Sequence, residues 1–278
     1  MKTQYELSSK EFDFLRQKVF NHSGIAMGNE KRQLIYSRLS KRLRQLSLKN
    51  FAEYCQLLDS GDEDELLYFT NAMTTNLTSF FRENHHFEYL QQTVLPYLMK
   101  LKADTRKLRI WSAGCSTGEE PYSIAMTVKK VVPDNWDVKI LATDIDSNVV
   151  ETAKHGIYKL DRINGMDREL LKKWFLKGRG GNHDKALINP VLKEMIIFKQ
   201  LNLMHDWPMK GLLDVIFCRN VVIYFDKPTQ TKLFDRYADH LHPEGYLFVG
   251  HSEALFKVTE RFDLIGNTVY SKRKTRQG

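Results

Sequence analysis

A chain of 278 residues with 42% hydrophobic and 27% charged residues can bury one large core or two of ordinary size. Its 7 prolines and 15 glycines leave no room for collagen-like repeats, low complexity or general disorder, so a folded globular protein is expected. The net charge of +8 sits at the start: residues 1 to 50 hold 11 Lys or Arg against 4 Asp or Glu, whereas the other 228 hold 31 against 30. Asymmetry of this kind marks a surface that meets an acidic partner.

The opening MKTQYELSSKEFDF has no apolar core of the kind a signal peptide carries. From Ser8 to about Met73 apolar residues recur at helical spacing, with short breaks at NHSG and DSGDED, which predicts an all-helical domain over 1 to 73. On a helix over 31 to 46, Ile35, Leu39, Leu43 and Leu46 fall within roughly 80° of one another, and Lys31, Arg38 and Arg42 form a basic stripe within about 40° beside them. Like charges this close are either solvated or neutralised by a partner, and the stripe is expected to dock an acidic surface.

After about Leu108 the pattern changes to short β-rich runs, LRIWSA, VKILATDI, EMIIFKQ, LLDVIFC and GYLFVG, separated by helical stretches near 118 to 131, 147 to 155, 168 to 177 and 229 to 241. This alternation predicts an α/β domain over 74 to 278 with a mainly parallel sheet. A segment of about 160 to 196 breaks it: a helix, then the glycine-rich GRGGN and a strand-like run, read as a small inserted antiparallel unit. RFDLIGNTVYSKRK reads as two strands around Gly266-Asn267, and the tail KRKTRQG is expected to fray.

In RIWSAGCSTGEEPYSIAM a strand runs through a glycine turn into a helix that opens on Glu119 and Glu120. Ser116 and Glu119, three apart, fit a capping box. The turn has neither the Gly-Lys-Ser/Thr of a phosphate loop nor GxGxxG spacing, and glutamates at a helix mouth repel phosphate but suit a ligand with a cationic part, such as S-adenosylmethionine. Asp144, at the end of the second strand, lies where α/β sheets hold ribose hydroxyls, and Asp146 reads as the cap of the following helix. Arg219 and Asn220 follow a buried strand at the same sheet edge, and on a helical turn Asn220 and Tyr224 share a face.

Cys55, Cys115 and Cys218 lie far apart without a CxxC pair, which supports neither a disulfide framework nor a zinc knuckle. The histidines show no HxxxH spacing, and the adjacent His85 and His86 are expected on different sides of a helix, so no metal site is expected. The most apolar stretch is broken by Asp214 and Arg219, so no membrane span is expected and the chain is placed in the cytoplasm.

These motifs, with TTNLTSFFRE (74 to 83), HGIY (155 to 158), QLNL (200 to 203) and GYLFVGHSE (245 to 253), resemble the chemotaxis receptor methyltransferases of the CheR family over nearly the whole chain. The resemblance implies a Rossmann-like S-adenosylmethionine-dependent methyltransferase sheet with an inserted β-subdomain, preceded by an all-α domain. It implies transfer of a methyl group from S-adenosylmethionine to glutamate side chains of methyl-accepting chemotaxis receptors, leaving S-adenosylhomocysteine. Carried over residue by residue, Asn76, Thr78, Arg82, Glu119, Asp144, Asn202, Leu203, Arg219 and Asn220 are implied cofactor contacts, with Arg82 and Tyr224 beside the reacting groups. Lys31, Arg38 and Arg42 are then expected to meet the receptor's methylated helices, and Gly178, Arg179 and Gly180 a C-terminal receptor peptide added as an extra strand.

A carboxylate nucleophile is already ionised at neutral pH, so the missing His/Asp dyad is no obstacle. A nucleic-acid base methyltransferase is the rival enzyme, but the Asn-Pro-Pro-Tyr motif commonly used for base methylation is absent. A cofactor-binding regulator without catalysis is the rival outside enzymes. The expected protein is a monomer that binds no nucleic acid and meets the membrane only through its receptor.

Overall fold

Ser8 opens the first helix with a reciprocal cap: its hydroxyl accepts the Glu11 N–H, while its own N–H donates to the Glu11 carboxylate at 2.7 Å. The computed structural model describes residues 5–273; residues 274–278, most of the tail expected to fray, lie outside them. Helix α1 (Ser9–Ser23) ends where Gly24 turns left-handed at φ +75°. Helices α2 (Arg32–Gln45), α3 (Phe51–Asp59) and α4 (Glu63–Met73) follow, each burying one stripe: Phe12, Leu15 and Val19 on α1, then Ile35, Leu39 and Leu43 on α2.

The basic stripe has a different fate from the one its spacing predicted. Arg38 donates to the carbonyls of Ala72 and Thr74 at 3.0 and 2.8 Å and to the Thr75 hydroxyl. Arg42 grips both oxygens of the buried Glu65 at 2.5 to 3.1 Å and lies 3.9 Å from the Tyr68 ring centroid. Glu65 also accepts the Tyr54 hydroxyl at 2.7 Å. The two arginines sit at the rim of the face that α2 turns to α4, so their heads reach across it instead of pointing outward. Lys31, in a short 3-10 turn before α2, stays exposed.

The chain then enters the sheet domain through α5 (His85–Tyr89), a π turn and α6 (Leu95–Leu101). Strand β1 (Lys107–Ala113), helix α7 (Glu119–Val131), β2 (Asp137–Asp144) and α8 (Ser147–His155) form the first winding. An insert holds β3 (Ile157–Lys159), α9 (Leu160–Ile163), α10 (Arg168–Trp174), β4 (Phe175–Lys177), β5 (Lys185–Ile188) and α11 (Pro190–Lys193). The main fold resumes with β6 (Ile196–Gln200), β7 (Leu213–Cys218), α12 (Lys227–His240) and β8 (Leu241–Val249), and closes on β9 (Phe262–Gly266) and β10 (Val269–Lys272).

The seven-stranded sheet has the order β6-β2-β1-β7-β8-β10-β9, parallel through β8 and antiparallel beyond it. Every residue of β7 is buried, as a parallel strand covered on both faces requires. Alternation along the strands divides the apolar side chains into two cores. Trp111, Ile216 and Leu247 face α12 and the N-terminal helices, whereas Ile110, Val215 and Phe248 face α5 to α7.

The insert forms a separate three-stranded antiparallel sheet of order β3-β5-β4, so it starts at Ile157, slightly before the expected boundary. GRGGN turns from β4 to β5 as its glycines predicted. Because β5 is the central strand, its backbone is paired on both sides; an added strand has room only along β3 or β4.

Candidate active site

Two glycines shape the turn after β1. At Gly114 (φ +100°) a Cβ would stand 2.3 Å from a methyl of Val221, so only glycine lets the β1 and β7 loops close up. Gly118 (φ +99°) is the N-cap of α7 and receives no side-chain cap. The Ser116–Glu119 capping box predicted from spacing is therefore not formed. The helix begins one residue after Gly118, which leaves Ser116 outside it at φ +46°, and its hydroxyl donates to the Asn76 carbonyl at 2.9 Å. Glu119 is fully buried, where its carboxylate is bound by Arg162 and by the Thr117 hydroxyl.

At the end of β2, Asp144 accepts the Ser116 N–H at 2.8 Å and the Asp146 N–H at 3.0 Å. Burial pushes its pKa up to about 6 despite these donors. Asp146 caps α8 through the Asn148 N–H, as predicted, and its other oxygen takes Asn76 Nδ2 at 2.8 Å and the Thr74 hydroxyl at 3.0 Å. The TTN segment is thereby pinned across the carboxyl edge of the sheet.

After β7, the buried Arg219 donates to Glu120 Oε2 at 3.0 Å and to the carbonyl of Arg82, and lies 3.3 Å from Glu83 Oε2. Glu120 also accepts the Ser112 hydroxyl at 2.7 Å; burial raises its pKa, and Arg219 opposes that rise. For Glu83 burial also opposes ionisation, but Arg219, Asn220 and the His251 backbone prevail and hold its pKa low. Asn220 stands in the left-handed region at φ +58°, with its N–H on Glu253 Oε2 at 2.7 Å. The predicted helical turn consequently starts later, as a 3-10 turn over Val222–Tyr224. Glu253, from GHSE, also takes the Gly250 and Ile223 N–H groups and so holds the loop. Burial pushes the Cys115 and Cys218 thiols well up, away from the reactive thiolate form.

These loops enclose one cavity at the carboxyl edge, between β1 and β7, where the strand order reverses. Asn76, Thr78, Arg82, Asp144, Asn202, Leu203, Arg219, Asn220 and Tyr224 all line it. Glu119 does not; its neighbour Glu120 takes the wall position, and Glu119 instead ties the insert to α7 through Arg162, which also donates to the Thr78 carbonyl. The arginine stripe and the Gly178 to Gly180 turn lie outside the lining. The N-terminal domain reaches the rim: Asn202 Nδ2 donates to the His22 carbonyl at 2.6 Å, and Ala26 N–H to the Tyr224 carbonyl at 2.8 Å. Glu120 is named in the sequence beside Glu119 but not among the implied cofactor contacts, whereas Thr74 and Glu253 are not singled out there, although each stands inside a quoted motif.

A glycine turn between a parallel strand and a helix, an acid ending the next strand and buried acids along the wall define a nucleoside-cofactor transferase pocket. Asp144 and Glu120 place two carboxyl groups on that wall, Glu120 paired with Arg219. Residues 76–271 match the family model described as CheR methyltransferase, SAM binding domain, and residues 10–74 the one described as CheR methyltransferase, all-alpha domain. The chain belongs to the CheR methyltransferase family and is an S-adenosylmethionine-dependent methyltransferase. It is 46% identical to chemotaxis protein methyltransferase 2 of Pseudomonas aeruginosa, covering 96% of this chain and 95% of that one. It is 44% identical to a probable chemotaxis protein methyltransferase of Rhizobium etli (91% and 96% covered) and 39% identical to the chemotaxis protein methyltransferase of Escherichia coli (99% and 94%). Among the described residues no helix is long and apolar enough to cross a membrane.

Proposed function

We propose that this methyltransferase esterifies glutamate side chains of chemoreceptors in the cytoplasm, using the cavity between β1 and β7 for S-adenosylmethionine. The observation that carries the reading is the convergence of nine positions from four separated segments on that single cavity. Asp144 takes the ribose hydroxyls, Asn202 and Leu203 flank the adenine, and the buried Glu120–Arg219 pair faces the amino-acid end. When bound, the cofactor supplies an activated sulfonium methyl. An ionised glutamate needs no base, so the chain's task is to align donor and acceptor at about 3 to 3.5 Å and to exclude water. Arg82 and Tyr224, both on the cavity wall, are the positioning groups for the incoming carboxylate.

Receptor contact is proposed at two places. Lys31 and the other exposed charges of the basic N-terminal region meet the acidic receptor helix, whereas Arg38 and Arg42 act through the fold. The insert takes a receptor C-terminal peptide beside the Gly178-Arg179-Gly180 turn, on the free edge of β4, where Leu176 is 50% exposed. Such a tether raises local substrate concentration without touching the chemistry.

The test is incubation with methyl-labelled cofactor and either receptor-rich membranes or RNA. Label released from the membranes by alkali as methanol supports the ester; alkali-stable label on RNA points to base methylation; no transfer at all points to a regulator.

A further inference from the structure

Outside the cofactor cavity, Glu83, His85 and His86 stand together where the TSFFRE segment meets the β9–β10 turn. The two imidazole rings are expected on different sides of a helix, yet α5 begins at His85 and their centroids are 4.2 Å apart. Glu83 Oε2, His85 Nε2 and His86 Nδ1 are buried, and none has a hydrogen-bond partner. One ligand atom from each residue falls within a sphere where all separations are at most 4.8 Å.

The tautomer of His86, which is fully buried, follows from its other nitrogen. Nε2 lies 3.0 Å from the Asn267 carbonyl, which can only accept, so Nε2 carries the proton and Nδ1 presents a bare lone pair. That lone pair faces Glu83 Oε2 at 3.5 Å. Two acceptors aimed at each other in a buried site repel unless a cation lies between them. Arg219 lies 3.3 Å from the same oxygen and its charge helps hold Glu83 ionised, without meeting hydrogen-bond geometry at Oε2.

We infer that Glu83, His85 and His86 form a binding site for one divalent transition-metal ion of the zinc class. Two imidazoles and one carboxylate suit such an ion, whereas calcium and magnesium take oxygen ligands. The 3.5 Å between Nδ1 and Oε2 is close to the edge of about 3.3 Å that a tetrahedron with zinc-like bond lengths requires. Three protein ligands leave a fourth position for water. The Asn267 carbonyl on Nε2 is the outer contact that commonly fixes a ligating histidine. Occupancy joins the segment leading into α5 to the β9–β10 turn, and the neighbouring Arg219 charge keeps the affinity modest.

The full-length protein, reduced and stripped of metal, is titrated with Co²⁺ and followed by visible absorption, then back-titrated with Zn²⁺. The expected result is one Co²⁺ per chain with d–d bands of four-coordinate nitrogen and oxygen ligation, no thiolate charge-transfer band, and displacement by Zn²⁺. His85→Ala, at a partly exposed position, should weaken binding by at least about tenfold while leaving the far-ultraviolet circular dichroism intact. Glu83→Gln should weaken it similarly. Absence of stoichiometric binding, a thiolate band, or native affinity in both variants would overturn the site.

Discussion

Asp144 gives the sharpest quantitative consequence, because its environment opposes the charge that its proposed role uses. Burial raises its pKa from 3.8 to about 6 in the folded protein. At 1.36 kcal/mol per unit, keeping it ionised costs the fold about 3 kcal/mol above pH 6. A carboxyl whose folded pKa is raised contributes most to stability below about pH 4 and loses that contribution as pH rises through about 6. Asp144→Asn removes the titration and replaces one acceptor with a donor facing a backbone N–H, a loss of about 1 to 3 kcal/mol that does not vary with pH. Measured by urea melts, the variant's stability relative to the native chain should therefore improve by about 1.4 kcal/mol between about pH 5 and about pH 7.5. Calorimetric cofactor affinity at about pH 7.5 should fall at least tenfold, since a hydrogen bond to a charged group contributes about 1.5 to 3 kcal/mol. In the native chain the affinity should decline as pH drops below about 6. A stability difference that is flat with pH, together with unchanged cofactor affinity, would refute this reasoning.

Arg42→Ala should cost about 3 to 5 kcal/mol in urea melts, because Glu65, 4% exposed, is left with a buried charge and only Tyr54; Arg42→Leu with Glu65→Leu should recover most of it, and equal losses in both would contradict the pairing. Gly114→Ala should lower both thermal stability and cofactor affinity, since the new methyl meets Val221 at 2.3 Å and the backbone is left-handed there; an unchanged melting curve would show that the loops can yield. Arg219→Lys cannot reproduce the guanidinium's contacts with Glu120, Glu83 and the Arg82 carbonyl, so cofactor affinity should fall at least about tenfold by calorimetry, and native-like binding would remove Arg219 from the site. Deleting Gly178 to Asn182 should lower affinity for the receptor's C-terminal peptide while sparing turnover of a short glutamyl substrate; equal peptide affinity would remove the turn from the contact.

The elements whose signal is local were legible. Apolar runs marked β1, β2, β6 and β7, and GRGGN marked the turn of the insert, because alternation and glycine freedom are properties of neighbouring residues. Most of the cavity wall could also be placed, since strand ends of a parallel sheet converge on one edge. What escaped depends on which side chain lies opposite. Periodicity put Arg38 and Arg42 at the rim of α2, but nothing near them in sequence announced Glu65 or the carbonyls of Ala72 and Thr74. Glu119 and Glu120 were adjacent in one motif, and only the Gly118 start of α7 decides that Glu120 faces the cavity and Glu119 faces Arg162. Spacing puts the adjacent histidines on different sides of a helix; nothing local announces that α5 starts at His85 or that the two rings lie 4.2 Å apart.

The most direct measurement is tandem mass spectrometry of chemoreceptor incubated with this protein and methyl-deuterated cofactor at subsaturating concentration. Deuterated methyl on glutamate side chains, with strongly reduced labelling when Asp144→Asn is used, is the predicted result. Methyl on nitrogen atoms, or undiminished glutamate labelling by that variant, would contradict the assignment of this cavity as the site of carboxyl methylation.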